Sequence, residues 1–84
     1  MQNLTAIKVL IPLEKEFKIY EDELKFLYRR NQKSIADTNS FEFIRDNTLF
    51  YAFVHNETLI GAIYFFVDNG QLFLNAFSDR RAHV

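Results

Sequence analysis

Few side chains in this sequence could do chemistry, and they are scattered. His55 falls in a polar turn and His83 sits next to the last residue, and neither has a Cys, Asp or Glu at ligand spacing on its own element. A metal site therefore has no donor set, because zinc and its relatives need three or four such groups converging on one point. Ser34, Ser40 and Ser78 have no nucleophile-elbow motif and no evident base, so nucleophilic catalysis has no support either. Asn75 is the lone polar side chain between Leu72 and Phe77, and a buried amide left without partners costs about 1–3 kcal/mol. That amide is either tied to a neighbouring group or part of a site. The pair Arg80-Arg81 has the donors to hold a phosphate, although Asp79 partly neutralises it and it can equally be a charged tail.

The elements that must position these groups are legible from period and punctuation. "TAIKVLIPL" is rich in β-branched residues and ends near Pro12, as a first strand would. From Glu14 the period changes to that of a helix. Phe17, Tyr20, Leu24 and Leu27, with Tyr28 adjacent, form an apolar stripe, and Lys18, Glu21, Asp22, Glu23 and Lys25 form a solvated face, which predicts an amphipathic helix over 14–33. Glu14 and Glu16 then belong to its first turn, and Arg29, Arg30 and Lys33 to its last, as the helix dipole favours. "ADTNS" is a break, and Asn39 with Glu42 has capping-box spacing for a short second helix ending near Asn47.

The remainder predicts a meander of three strands, "TLFYAFV", "TLIGAIYFFV" and "QLFLNAFS". Asn69-Gly70 is the most specific local signal, because both central residues of a type I′ turn need positive φ. Gly61, inside a strand, marks a bulge or a close backbone approach. Strict alternation would put Leu59, Gly61, Ile63, Phe65 and Val67 on one face of the middle strand, opposite Ile60, Ala62, Tyr64 and Phe66. Neither face is polar, so the sheet expects cover on both. The helices could be divided between the faces, a second copy could cover one, or a missing C-terminal half could do so.

Bulk properties narrow the class. The chain has 84 residues, enough for one domain that buries about 60% of its unfolded surface, and it has ten Phe and four Tyr to fill so small a core. Its formal net charge is −1 and no basic run exceeds a pair, so nucleic acid is not an expected partner. There is no Cys, and Lys8 interrupts the apolar N-terminus. Neither a signal peptide nor a membrane span is expected, and a cytoplasmic protein is the simplest expectation.

The element order, together with "VHNETLIGAIYFF" and "LFLNAFSDRR", resembles the N-terminal half of a GCN5-related N-acetyltransferase domain, the acyl-CoA N-acyltransferase fold. The resemblance covers essentially the whole chain and about half of that family's domain. It implies an α+β fold of about four mainly antiparallel strands and two helices, with residues 1–84 as a single such domain or the N-terminal part of one. The parent reaction it implies is acetyl transfer from acetyl-CoA to an amine. The cofactor would lie along residues 75 to 81, with Asn75, Phe77, Arg80 and Arg81 as cofactor-binding residues and Asn75 facing the acyl site. A base for the amine would come from Glu42 or Glu57, without a catalytic assignment for either.

The sequence departs from the family where Ala82 and Val84 stand near loop positions that call for glycine, since a Cβ obstructs close approach of backbone to pyrophosphate. The later helix and strands of the family are not in this sequence, so the segment is expected to be inactive alone. The rival expectation is a non-enzymatic α+β interaction module. It would self-associate or bind a protein through an apolar sheet face, with Phe66, Phe73 or Phe77 protected in the contact.

Overall fold

The computed structural model describes residues 6–79. Strand β1 (Ile7–Leu10) leads through a turn into helix α1 (Phe17–Ile35) and the short helix α2 (Phe41–Asn47). Strands β2 (Leu49–His55), β3 (Thr58–Asp68) and β4 (Gln71–Ser78) follow, and the four strands form one antiparallel sheet in the order β1-β2-β3-β4. This is the α+β class expected.

Helix α1 starts later than its charges suggest. Its opening turns are short-range, with Phe17, Lys18 and Ile19 amides bonded three residues back, so Glu14 and Glu16 precede the helix instead of lying in its first turn. Glu14 has another task, accepting the Ile11 amide at 3.1 Å. Of the three expected cations only Lys33 lies in the last turn. The helix ends at Ala36, which is left-handed at φ 55°, with the Ala36 and Asp37 amides returning to the Lys33 and Gln32 carbonyls. That double return is a Schellman ending. Helix α2 is capped by Ser40, whose Oγ accepts the Phe43 amide at 3.1 Å, and not by Asn39. Arg45 holds α2 to α1 by reaching Glu21 at 3.2 Å.

Both helices pack on the same sheet face, so they are not divided between the two. Phe50 of β2, Tyr64 of β3 and Phe77 of β4 meet Phe17 and Tyr28 of α1 and Phe41 of α2 in one aromatic cluster, with neighbouring centroids 5.8–6.5 Å apart. Leu10, Leu24, Leu27, Ile44, Ala52, Val54, Leu59 and Ala62 complete that core.

Alternation along β3 fails at one place, and the reason is a bulge. Phe53 pairs with Gly61 but Val54 pairs with Leu59, which leaves Ile60 as an extra residue. Leu59 is thereby turned to the helix-covered face, where it is buried, instead of lying with Gly61, Ile63 and Phe65. Gly61 makes the close approach expected of it. A Cβ there would lie 2.4 Å from the Phe77 carbonyl oxygen on β4.

Candidate functional site

Two features of this fold could carry function: a polar network on the helix-covered face and an apolar expanse on the other. The network begins at the loop that follows α1. Asp37 is placed there by the Schellman ending, and its Oδ1 accepts the Asn39 amide at 2.9 Å. Its other oxygen accepts the Tyr64 hydroxyl at 2.5 Å, and the Asn75 side-chain amide donates to that same hydroxyl at 3.2 Å. Tyr28 donates to the Asn39 carbonyl at 2.7 Å, and Gln32 donates to the Asp37 and Asn39 carbonyls at 3.1 and 3.0 Å. One loop of the helical layer is thus tied to both β3 and β4. Among the described residues no buried side-chain polar atom lacks a partner.

The electrostatics follow from that arrangement. Burial, reinforced by the Asp37 carboxylate, pushes Tyr28 up to about 12 and Tyr64 higher still, so both phenols stay protonated and donate. Burial on its own would raise Asp37, but hydrogen bonds from the Tyr64 hydroxyl and from the backbone and side-chain amides of Asn39 outweigh it and hold the carboxyl below its usual range. A carboxylate fixed in this way by donors is a structural anchor. It is not poised to take a proton near neutral pH.

Of the residues singled out from sequence, those that are described do not share one cleft. Asn75 is half-buried and engaged with Tyr64, and Phe77 is buried in the aromatic cluster. Among the described residues nothing pairs with the outer backbone edge of β4, the side away from β3. Arg80, Arg81 and His83 lie outside the described residues. Glu42 forms an ion pair with Lys25 at 2.7 Å, and that hydrogen bond lowers its pKa, which disfavours it as a base. Glu57 stands in the β2–β3 turn beside a groove of ≈ 570 Å³ that it shares with Lys8, Lys15, Glu16, Ile19 and Tyr20. Among the described residues no three His, Cys, Asp or Glu converge as a metal site would require.

The second feature is the sheet face without helices. The register places Val9, Leu49, Tyr51, Phe53, Ile63, Phe65, Val67, Leu72 and Leu74 there. Val67 is 68% exposed and Leu74 56% exposed, while Tyr51 and Phe65 stack on each other at 6.0 Å. Phe66 and Phe73 stack at 5.2 Å on the opposite face, beside the polar turn Asp68–Gln71. Large patches of this kind mark contact surfaces. Among the described residues no helix is long and apolar enough to cross a membrane.

Comparison of the chain with protein-family models, curated proteins and solved structures finds no match. The polar network was only partly visible in the sequence. Asn75 announced itself as a lone amide, but nothing local signals that Asp37, in the "ADTNS" break, is its partner through Tyr64.

Proposed function

We propose that this chain is half of an acyl-CoA N-acyltransferase-like domain, inactive alone, whose helix-free sheet face is completed by a second protein layer. The observation that supports this most is the pairing of two facts: strand order β1-β2-β3-β4 with both helices inserted between β1 and β2, and an apolar second face with no helix on it among the described residues. A parallel or antiparallel sheet that is apolar on both sides is built to lie between two layers. The parent reaction would form a C–N bond to an amine as the thioester C–S bond of acetyl-coenzyme A breaks, with coenzyme A leaving as its thiol. In this chain the outer backbone edge of β4 is what would meet the cofactor, because Asn75 and Phe77 are occupied by Tyr64 and by the core. Arg80 and Arg81 would then meet phosphate.

Titration of the isotopically labelled protein with acetyl-coenzyme A tests this. Saturable amide shifts confined to residues 75 to 81 are expected, and an absence of shifts at millimolar cofactor would remove cofactor binding from this chain.

A second reading is favoured by a specific observation at the free edge. Strand β4 is an eight-residue edge with no charged residue, no proline and no bulge, whereas the other edge, β1, is four residues long and carries Lys8. Edges of the first kind invite pairing. The chain would then be a non-enzymatic interaction module that binds a second copy. Sedimentation analysis separates the two, because the module reading requires a dimer without any ligand.

A further inference from the structure

Helix α1 carries large apolar side chains on the face turned away from the sheet. Ile19 is 74% exposed and Phe26 59% exposed, although Leu24, Leu27 and Tyr28 beside them are fully buried. The two are seven residues apart, so they lie on one line of the helix about 10 Å apart. A solvated face has no need of them. Phe26, Asp22, Lys25, Arg29 and Arg30 line a shallow groove of ≈ 450 Å³, and the Arg30 guanidinium lies 5.7 Å from the Phe26 ring centre.

The charge around this line is divided along the helix. Asp22 and Glu23 lie between Ile19 and Phe26, while Arg29, Arg30 and Lys33 follow Phe26. Lys25 is taken by Glu42, and Glu21 by Arg45. Arg29, Arg30 and Lys33, by contrast, have no carboxylate within ion-pair reach among the described residues. Three unpaired cations within two turns, next to an exposed aromatic ring, form a positive and apolar surface on a protein whose net charge is −1.

We infer that the outward face of α1 docks an acidic amphipathic peptide segment, with one apolar anchor on Phe26, a second near Ile19, and carboxylates against Arg29, Arg30 and Lys33. Spaced apolar anchors with flanking charge are how a helix is recognised by a matching helix. A nucleic acid strand is disfavoured by Asp22 and Glu23, which would face its phosphates across the middle of the surface. The inference is independent of the acyltransferase reading, because α1 presents this face away from β4 and the free sheet face.

The test uses three probes with the full chain: a fluorescent acidic peptide carrying two leucines one heptad apart, the same peptide with Lys for every Glu, and a single-stranded oligonucleotide. Saturable binding of the acidic peptide is expected, with Phe26→Ala and the double change Arg29→Glu, Arg30→Glu each weakening it by about tenfold. Binding should also weaken as salt rises toward about 0.5 M. Both variants change exposed residues, and unaltered circular dichroism and melting would establish that they fold. No binding at millimolar peptide, equal binding of the lysine peptide, tighter binding of the oligonucleotide, or an acidic-peptide affinity untouched by both variants would each overturn the inference.

Discussion

Tyr64 is the side chain on which the polar network turns, because its hydroxyl donates to Asp37 and accepts from Asn75. Tyr64→Phe keeps the ring in the aromatic cluster and removes only that bridge. It should cost about 1–3 kcal/mol in urea unfolding, since Asn75 loses its partner and Asp37 loses its shortest one. The variant should also change the acid limb of stability. Asp37 has a folded pKa below its unfolded value, so its contribution is present above about pH 4 and is lost as pH falls through the lower, folded value. With Tyr64→Phe that acid sensitivity should shrink. Tyr28 works in the opposite sense: raised to about 12, it contributes fully below pH 10 and loses that contribution as pH rises from 10 to 12. Urea midpoints measured across both limits check the two signs. Gly61 offers a steric counterpart, since the Phe77 carbonyl leaves no room for a methyl group and Gly61→Ala should destabilise by about 1–3 kcal/mol.

At the scale of elements, two positions hold a left-handed backbone with the wrong residue type. Ala36 ends α1 at φ 55° and Glu57 closes the β2–β3 turn at φ 62°. A left-handed L-residue costs about 1–2 kcal/mol, and glycine returns about 0.5–1 of that as entropy lost on folding. Ala36→Gly and Glu57→Gly should therefore each stabilise by about 0.5–1 kcal/mol, seen as a higher urea midpoint with an unchanged slope.

The elements were also where sequence and structure parted in instructive ways. The existence of both helices and all four strands could be seen, because the 3.6-residue stripe through Phe17, Leu24 and Leu27 and the Asn69-Gly70 turn are local signals. The faces of β3 could not, because a bulge depends on how Phe53 and Val54 meet their partners and alternation assumes none. Gly61 hinted at it without saying which side of the glycine the extra residue occupies. The cap of α2 moved by one residue to Ser40 for a related reason: Asn39 is drawn into the Asp37 loop, where its amide and side chain both donate to that carboxylate.

For the whole molecule, the decisive fact is the asymmetry of the sheet. One face has two helices and the aromatic cluster, and the other leaves Leu74 more than half exposed. A sequence apolar on both faces of β2 and β3 implies this need for cover, but the side taken by the helices is a tertiary choice. Leu74→Asp probes the bare face without touching the core. It should leave the melting temperature within a few degrees of the parent while abolishing self-association in sedimentation velocity, if a second copy is what covers that face. Phe77→Asp would not serve, because Phe77 belongs to the core and a charge there would unfold the chain.

The two tight turns of the meander carry a consequence for the order of assembly. Both use a pair of residues at positive φ, but Asn69-Gly70 adopts that geometry readily whereas Asn56-Glu57 is forced into it. The β3–β4 hairpin should thus form early and template the rest, with β2 joining once its bulged register is found and β1 last, after both helices have been laid down between them. In rate measurements, changes at Asn69 and Gly70 should slow folding, while changes at Asn56 and Glu57 should act mainly on unfolding.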